Sequence, residues 1–152
     1  MLSCVYRINF GKSSFDLNDE YDRLSDYEKE KISELDAESF FDCDDDNENY
    51  VCYVITSPLE IKSYLGILSN NLIIVKCDNL SKDILKGKIN LEEELRSQLS
   101  TINSVKYSFF IDELNEWVYN NLDLDTVLDR ISESGMNSLT DTERLFLSNL
   151  NA

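Results

Sequence analysis

Hydrophobic and polar residues alternate along several short stretches of the chain, and these stretches predict strands. Between Cys4 and Phe10 every second side chain is apolar, which is typical of a half-buried strand. Nearly continuous apolar runs over residues 50–56 and 72–77 predict two further, largely buried strands. Alternation over residues 105–109 predicts a fourth strand.

Elsewhere apolar residues recur every three or four positions, a spacing that predicts amphipathic helices. Ser25 with Glu28, and Ser57 with Glu60, have the spacing of capping boxes and predict two helix starts. Residues 37–41 either extend the first of these helices or form a separate turn. Shorter helices are predicted over 80–86 and from Asn90, and another is predicted to start at Asp112 as its cap.

These elements predict an α+β fold with a small mixed sheet of about four strands, packed helices and a C-terminal helical hairpin. A strand–helix–strand segment over residues 50–77 is compatible with a parallel crossover. We expect residues 1–122 to form the α+β domain. Residues 123–152 are too few to hold a core, so we expect this hairpin to dock on that domain or on a partner.

The hairpin has well-defined local signals. Asp123 or Asp125 caps its first helix, Gly135 suits a left-handed C-terminal position, and Thr140 with Glu143 forms a capping box for its second helix. The segment 128–147, LDRISESGMNSLTDTERLFL, resembles a short module with the pattern LDKISxxGxxSLTxxEKxFL, with arginines in place of both lysines. That module occurs at the cytosolic tail of some bacterial rhomboid-family membrane proteins and at the end of small bacterial and phage proteins. The resemblance implies a helical hairpin and no catalytic residues, and residues 1–122 do not share it.

The net charge and its distribution along the chain are more informative about possible partners than the rest of the composition. The chain has 30 acidic and 14 basic residues, a net charge of −16. Residues 1–50 carry 15 acids and 5 bases, residues 51–111 are nearly neutral, and residues 112–152 carry 9 acids and 2 bases. This excess is larger than the roughly 2–8 charges that favour solubility in a small domain. It repels nucleic acid and anionic lipid and attracts basic surfaces.

The residues needed for common enzyme chemistry are scarce. Histidine is absent, the four cysteines form no C-x-x-C pair, and we find no glycine-rich phosphate loop. A calcium loop starting at Asp42 fails, because its sixth position is Asn47 and its twelfth is Tyr53. A paired-acid site at Asp112, Glu113 and Glu116, near Trp117, is less favoured than a solvated helix face. We therefore expect no metal and no cofactor.

The sequence predicts a non-catalytic acidic interaction protein that binds a basic surface of a partner protein. A sharper version is an inhibitor that mimics nucleic acid, as in a bacterial or phage accessory protein. We expect no direct binding to nucleic acid or membrane and a cytoplasmic location, and the oligomeric state stays open. Alternatives are a small enzyme or nucleotide-responsive module built on the strand–helix–strand segment, and a structural subunit of an assembly. The predicted partner-binding residues are Phe40, Phe41, Asp42, Asp44, Asp45, Asp46, Glu48, Asp112, Glu113 and Glu116.

Overall fold

The computed structural model describes residues 2–11, 22–43, 50–73, 75–96 and 104–150, which divide into two compact units. The first unit contains the described residues up to Leu80, and the second contains those from Ser81 onward. We call them the sheet unit and the helical unit. The domain boundary expected after residue 122 falls inside the helical unit.

Four strands form the sheet of the first unit: β1 (Cys4–Gly11), β2 (Ser39–Cys43), β3 (Tyr50–Thr56) and β4 (Lys76–Asn79). Their order is β2-β3-β1-β4, and every pair of neighbours is antiparallel. The predicted α+β class with four strands is confirmed, although the sheet is antiparallel rather than mixed. Because β3 and β4 both pair with β1, they run parallel to each other on either side of it.

Two helices of the sheet unit lie entirely within the described residues: α1 (Asp26–Glu38) and α2 (Pro58–Asn70). The capping box of Ser25 and Glu28 is confirmed at the start of α1, and Ser57 accepts a hydrogen bond from the backbone N–H of Glu60 at the start of α2. Their buried residues pack on one face of the sheet. That core contains Cys4, Tyr6, Ile8, Leu35, Cys52, Val54, Ile61 and Tyr64.

Burial in this core suppresses ionisation. It raises the pKa of the Cys52 thiol and of the Tyr6 and Tyr64 hydroxyls to about 12. These groups therefore act as neutral packing groups at physiological pH.

Residues 39–43 form β2 and neither extend α1 nor form a turn. Phe40 lies opposite Tyr53 in the register of β2 and β3, and pairing with β3 decides the structure of this segment. The predicted strand over 72–77 is displaced: β4 starts at Lys76 and continues to Asn79. Both differences arise because strand pairing depends on a distant segment and not on the local pattern.

The helical unit contains five α-helices within its described residues: α3 (Ser81–Leu85), α4 (Leu91–Arg96), α5 (Ser104–Asn121), α6 (Leu124–Ser134) and α7 (Asp141–Leu150). A 3₁₀ turn over Met136–Ser138 joins α6 to α7. The expected hairpin is therefore present. Its core, in which Val127 and Leu139 are buried, packs on Leu122 and on the partly buried Leu85 and Val118.

The strand predicted over residues 105–109 is wrong, because this segment is the first part of α5. Phe110, Ile111, Leu114 and Trp117 are buried and share one face of a helix, so burial over the longer segment favours the helix. Asp112 is consequently inside α5 and does not cap it.

Within the described ranges, no helix combines the length and the apolarity that crossing a bilayer requires.

Candidate functional site

The exposed face of α5 brings three of the predicted partner-binding residues together. Asp112, Glu113 and Glu116 are all exposed and lie within about 6 Å of each other along the helix axis, since an α-helix rises 1.5 Å per residue. Phe109 lies on the same face one turn earlier, and its side chain is 71% exposed. This face therefore combines a row of carboxylates with an accessible aromatic ring.

Few bases oppose these carboxylates within α5. The basic residue of this helix is Lys106, and a rise of 1.5 Å per residue places it about 9 Å from Asp112 along the helix axis. Within the described part of the chain, no ion pair joins a base to Asp112 or Glu116. The field of the face is therefore negative and accessible to a partner.

A second row of carboxylates follows on α6. Asp125, Asp129 and Glu133 are exposed at intervals of four residues, which places them along one side of the helix. Asp123 caps the same helix: its carboxylate accepts hydrogen bonds from the Thr126 backbone N–H at 2.7 Å and from the Thr126 hydroxyl at 3.0 Å. The backbone N–H of Thr126 holds the pKa of Asp123 below its ordinary value, so this carboxyl stays charged in weak acid.

Of the two arginines after residue 111, Arg130 does little to neutralise this surface. Arg130 donates to the Glu143 carboxylate and, at 2.9 Å, to the Ser138 carbonyl. The Arg130 side chain is 16% exposed and that of Glu143 only 3%, so the ion pair is internal. Arg144 is exposed and reaches the Met136 carbonyl at 3.4 Å.

The internal ion pair also explains why α6 and α7 keep their arrangement. Glu143 accepts a hydrogen bond from the Thr140 backbone N–H at 2.9 Å, while the Thr140 hydroxyl accepts one from the Glu143 backbone N–H at 3.2 Å. The guanidinium of Arg130 lies against the backbone of Gly87, where a Cβ atom would overlap it. Three segments of the helical unit thus meet at one charged pair.

A cleft of about 200 Å³ lies beside this pair, lined by residues of the α3–α4 turn, α5 and the start of α7. Its α5 lining consists of Leu114, Asn115 and Val118, not the exposed carboxylates. Trp117 is buried, so it does not share a solvent-filled site with Asp112 and Glu116. This geometry does not support a paired-acid catalytic centre.

The strand–helix–strand segment has its own cavity, lined by Leu65, Ser69, Leu72, Ile73, Val75 and Cys77. These side chains are mainly apolar, and burial raises the pKa of the Cys77 thiol above its ordinary value. A nucleotide or polar-substrate site needs several convergent polar groups, which this lining does not provide. Among the described residues, no cluster of three or more carboxylate or thiol groups is arranged to hold a metal ion.

The other predicted site residues lie at or near β2. Phe40 was predicted to bind a partner, but it is only 2% exposed and its side chain is not accessible; in the strand register it lies opposite Tyr53, which is also buried. Phe41 and Asp42 belong to β2 through their backbones. Asp44, Asp45, Asp46 and Glu48 lie outside the described residues.

Sequence reasoning missed Phe109, which the structure places beside the predicted carboxylates. The signal was available in the helical period of residues 104–121, which places Phe109 on the face of Glu113 and Glu116 and away from Leu114. Comparison of the chain with models of protein families, with curated proteins and with solved structures found no match.

Proposed function

We propose that this protein is a non-catalytic interaction protein whose helical unit binds a basic surface of a partner protein. One observation supports the proposal above all. Residues 112–141 expose eight carboxylates, while the arginine among them is committed to an internal ion pair. The exposed acids are Asp112, Glu113, Glu116, Asp123, Asp125, Asp129, Glu133 and Asp141.

The spacing of these charges makes them act together on a partner. Neighbouring carboxylates of the α5 and α6 rows are separated by at most about 6 Å along each helix axis, which is less than the Debye length of about 8 Å at physiological ionic strength. A basic patch therefore experiences their combined field, which accelerates the encounter. Phe109 supplies an apolar contact of the kind that anchors an interface after the encounter.

Charge density favours a basic protein patch over full mimicry of a nucleic acid. The α6 row has one carboxylate per about 6 Å of helix, whereas one strand of duplex DNA has one phosphate per about 3.4 Å. The α6 row therefore provides roughly half the linear charge of one DNA strand, and the three carboxylates of α5 span only about 6 Å, which is less than two phosphate spacings of such a strand. Inhibition of a nucleic-acid-binding protein by mimicry is the sharper alternative, and competition between duplex DNA and this protein for the partner tests it.

The proposal is tested with the full chain as bait and a matched pair of variants. One variant, Asp112→Asn/Glu113→Gln/Glu116→Gln, removes three charges from α5. The control, Glu30→Gln/Asp36→Asn/Glu38→Gln, removes three exposed charges from α1. Proteins from the source cell are captured at low salt, eluted with a salt gradient and identified.

We expect a specific partner to elute at moderate salt from the wild type and the control, and to be lost by the α5 variant. Its dissociation constant should rise steeply between low and physiological ionic strength, because screening removes the long-range attraction. Retention of the same partner by the α5 variant, or binding indifferent to salt, would contradict the proposal.

A further inference from the structure

The apolar stripe of α6 is wider than the core that covers it. Leu124, Val127, Leu128 and Ile131 follow the helical period, and the helix is strongly amphipathic. Of these residues, Val127 is fully buried in the core of the helical unit, and Ile131 is partly buried against that core. Leu124 and Leu128 remain 45% and 48% exposed, one helical turn apart.

Carboxylates flank these leucines on one side. Asp125 is three residues before Leu128 and therefore its neighbour on the helix surface, so the acidic row borders the apolar row along α6. A partner that covers the leucines must therefore meet negative charge at the same time. A second copy of this chain would bring its own Asp125 and Asp129 to the contact, and the like charges would repel.

We infer that the occupant of this face is an amphipathic basic helix of the partner protein, with an apolar row flanked by lysine or arginine. The inference rests on the proposed function and specifies the partner's structure. Leu124 and Leu128 are separated by about 6 Å along the axis, which matches residues at i and i+4 of a facing helix. α6 has 11 residues, so the matching segment is about three turns long.

The test uses the full chain and a fluorescent synthetic peptide that forms such a helix, with leucines on one face and lysines on both sides of them. A second peptide has the same composition, but its leucines are distributed around the helix. Binding is measured by fluorescence anisotropy at several salt concentrations. We expect the amphipathic peptide to bind at least tenfold more tightly than the redistributed one.

Substitutions then locate the contact. Leu124→Gln and Leu128→Gln should each weaken binding by roughly five- to tenfold, because each removes the burial of about half a leucine side chain. Glutamine maintains helix propensity, and thermal unfolding of each variant checks that the fold is intact. The matched control is Leu59→Gln, an exposed leucine on α2, which should leave binding unchanged.

The outcomes separate this inference from the proposed function. If Asp125→Asn/Asp129→Asn weakens binding while the leucine variants and the redistributed peptide behave like the originals, recognition depends on charge alone and the helix inference fails. If the protein self-associates and Leu128→Gln makes it monomeric, the occupant is a second copy and the inference is equally overturned. If neither peptide binds although a basic partner is captured through α5, the inference fails and the proposed function stands.

Discussion

The internal ion pair between Arg130 and Glu143 allows the sharpest test of how the helical unit is held together. The two residues are on α6 and α7, and their charges are largely removed from solvent. Arg130→Met removes the cation and keeps an unbranched side chain about as long as the arginine side chain up to its Nε atom. Glu143→Gln removes the anion and keeps an oxygen that accepts the Thr140 backbone N–H.

The two substitutions should differ in magnitude because the two charges differ in burial. Arg130→Met leaves the Glu143 carboxylate, only 3% exposed, without its cation, and breaking a buried pair in this way costs about 3–5 kcal/mol. Glu143→Gln leaves a guanidinium that is 16% exposed and still donates to the Ser138 carbonyl. The smaller loss, about 1–3 kcal/mol, is that of one charged hydrogen bond. In the double variant neither charge is left buried without a partner. Its loss of unfolding free energy should therefore be smaller than the sum of the two single losses by about 0.5–3 kcal/mol.

Urea unfolding followed by tryptophan fluorescence measures these differences directly. Trp117 is the single tryptophan and is buried in α5, so its emission reports the helical unit. The slope of free energy against urea should stay constant across the variants, which identifies a change of stability and not of mechanism. Equal losses for the two single variants, or strict additivity in the double variant, would refute the reasoning from burial.

Three further predictions concern a glycine and two titrating groups. Gly87→Ala should destabilise the helical unit by more than the roughly 1–2 kcal/mol of left-handed backbone strain, because the new Cβ overlaps the Arg130 guanidinium, which its ion pair with Glu143 holds in place. Gly11→Ala, at the same φ of 75° in open space, should show only the strain in urea unfolding. The Asp123→Asn variant should lose less stability than the wild type when the solution is acidified. In the wild type, the lowered pKa of Asp123 contributes stability that is fully present above the pKa of this group in the unfolded chain. That contribution disappears as the pH falls through the pKa of the folded state. As the pH rises from about 10 to about 12, the Tyr64→Phe variant should lose less stability than the Tyr27→Phe variant, which keeps Tyr64. Burial raises the pKa of Tyr64 in the folded protein, so this hydroxyl ionises first in the unfolded chain and its ionisation favours unfolding. Thermal midpoints across each pH range measure both effects.

Helix ends were predictable from sequence because their determinants are local. Ser25 with Glu28, and Thr140 with Glu143, form the predicted reciprocal hydrogen bonds over three residues. Gly135 ends α6 with a φ of 80°, a conformation that suits glycine. No distant segment is needed for these interactions, so a short window of sequence contains the whole cause.

Segments whose structure depends on distant partners were not predictable in the same way. The alternation over residues 105–109 fits a strand, but the 18-residue α5 buries Phe110, Leu114 and Trp117 together and thereby favours the helix. Phe40 precedes a highly acidic segment, yet it is buried in a strand that pairs with β3. Local pattern and tertiary burial conflict in both segments, and burial decides the outcome.

The candidate site also combines features that the sequence predicts with features that depend on tertiary packing. The excess of acids after residue 111 is visible in composition, and the exposure of Asp112, Glu113 and Glu116 follows from their polarity. The presence of Phe109 on their face depends on the orientation of α5 about its own axis, and only the packing of the helix determines that orientation. The pairing of Arg130 with Glu143 is likewise a tertiary contact between residues 13 positions apart.

If the acidic row of α6 serves binding, it should oppose the stability of its own helix, and Asp129 tests that conflict. Asp129 lies four residues from both Asp125 and Glu133, and each like-charged pair at this spacing destabilises a helix by about 0.2–0.5 kcal/mol. Asp129→Asn hardly changes helix propensity, so we expect it to stabilise the helical unit by about 0.4–1 kcal/mol in low salt. The same variant should bind the amphipathic basic peptide more weakly, and added salt should reduce both differences because it screens the same charges. A loss of stability at low salt would show that these carboxylates support the fold, and the case for the row as a binding surface would then lose its physical basis.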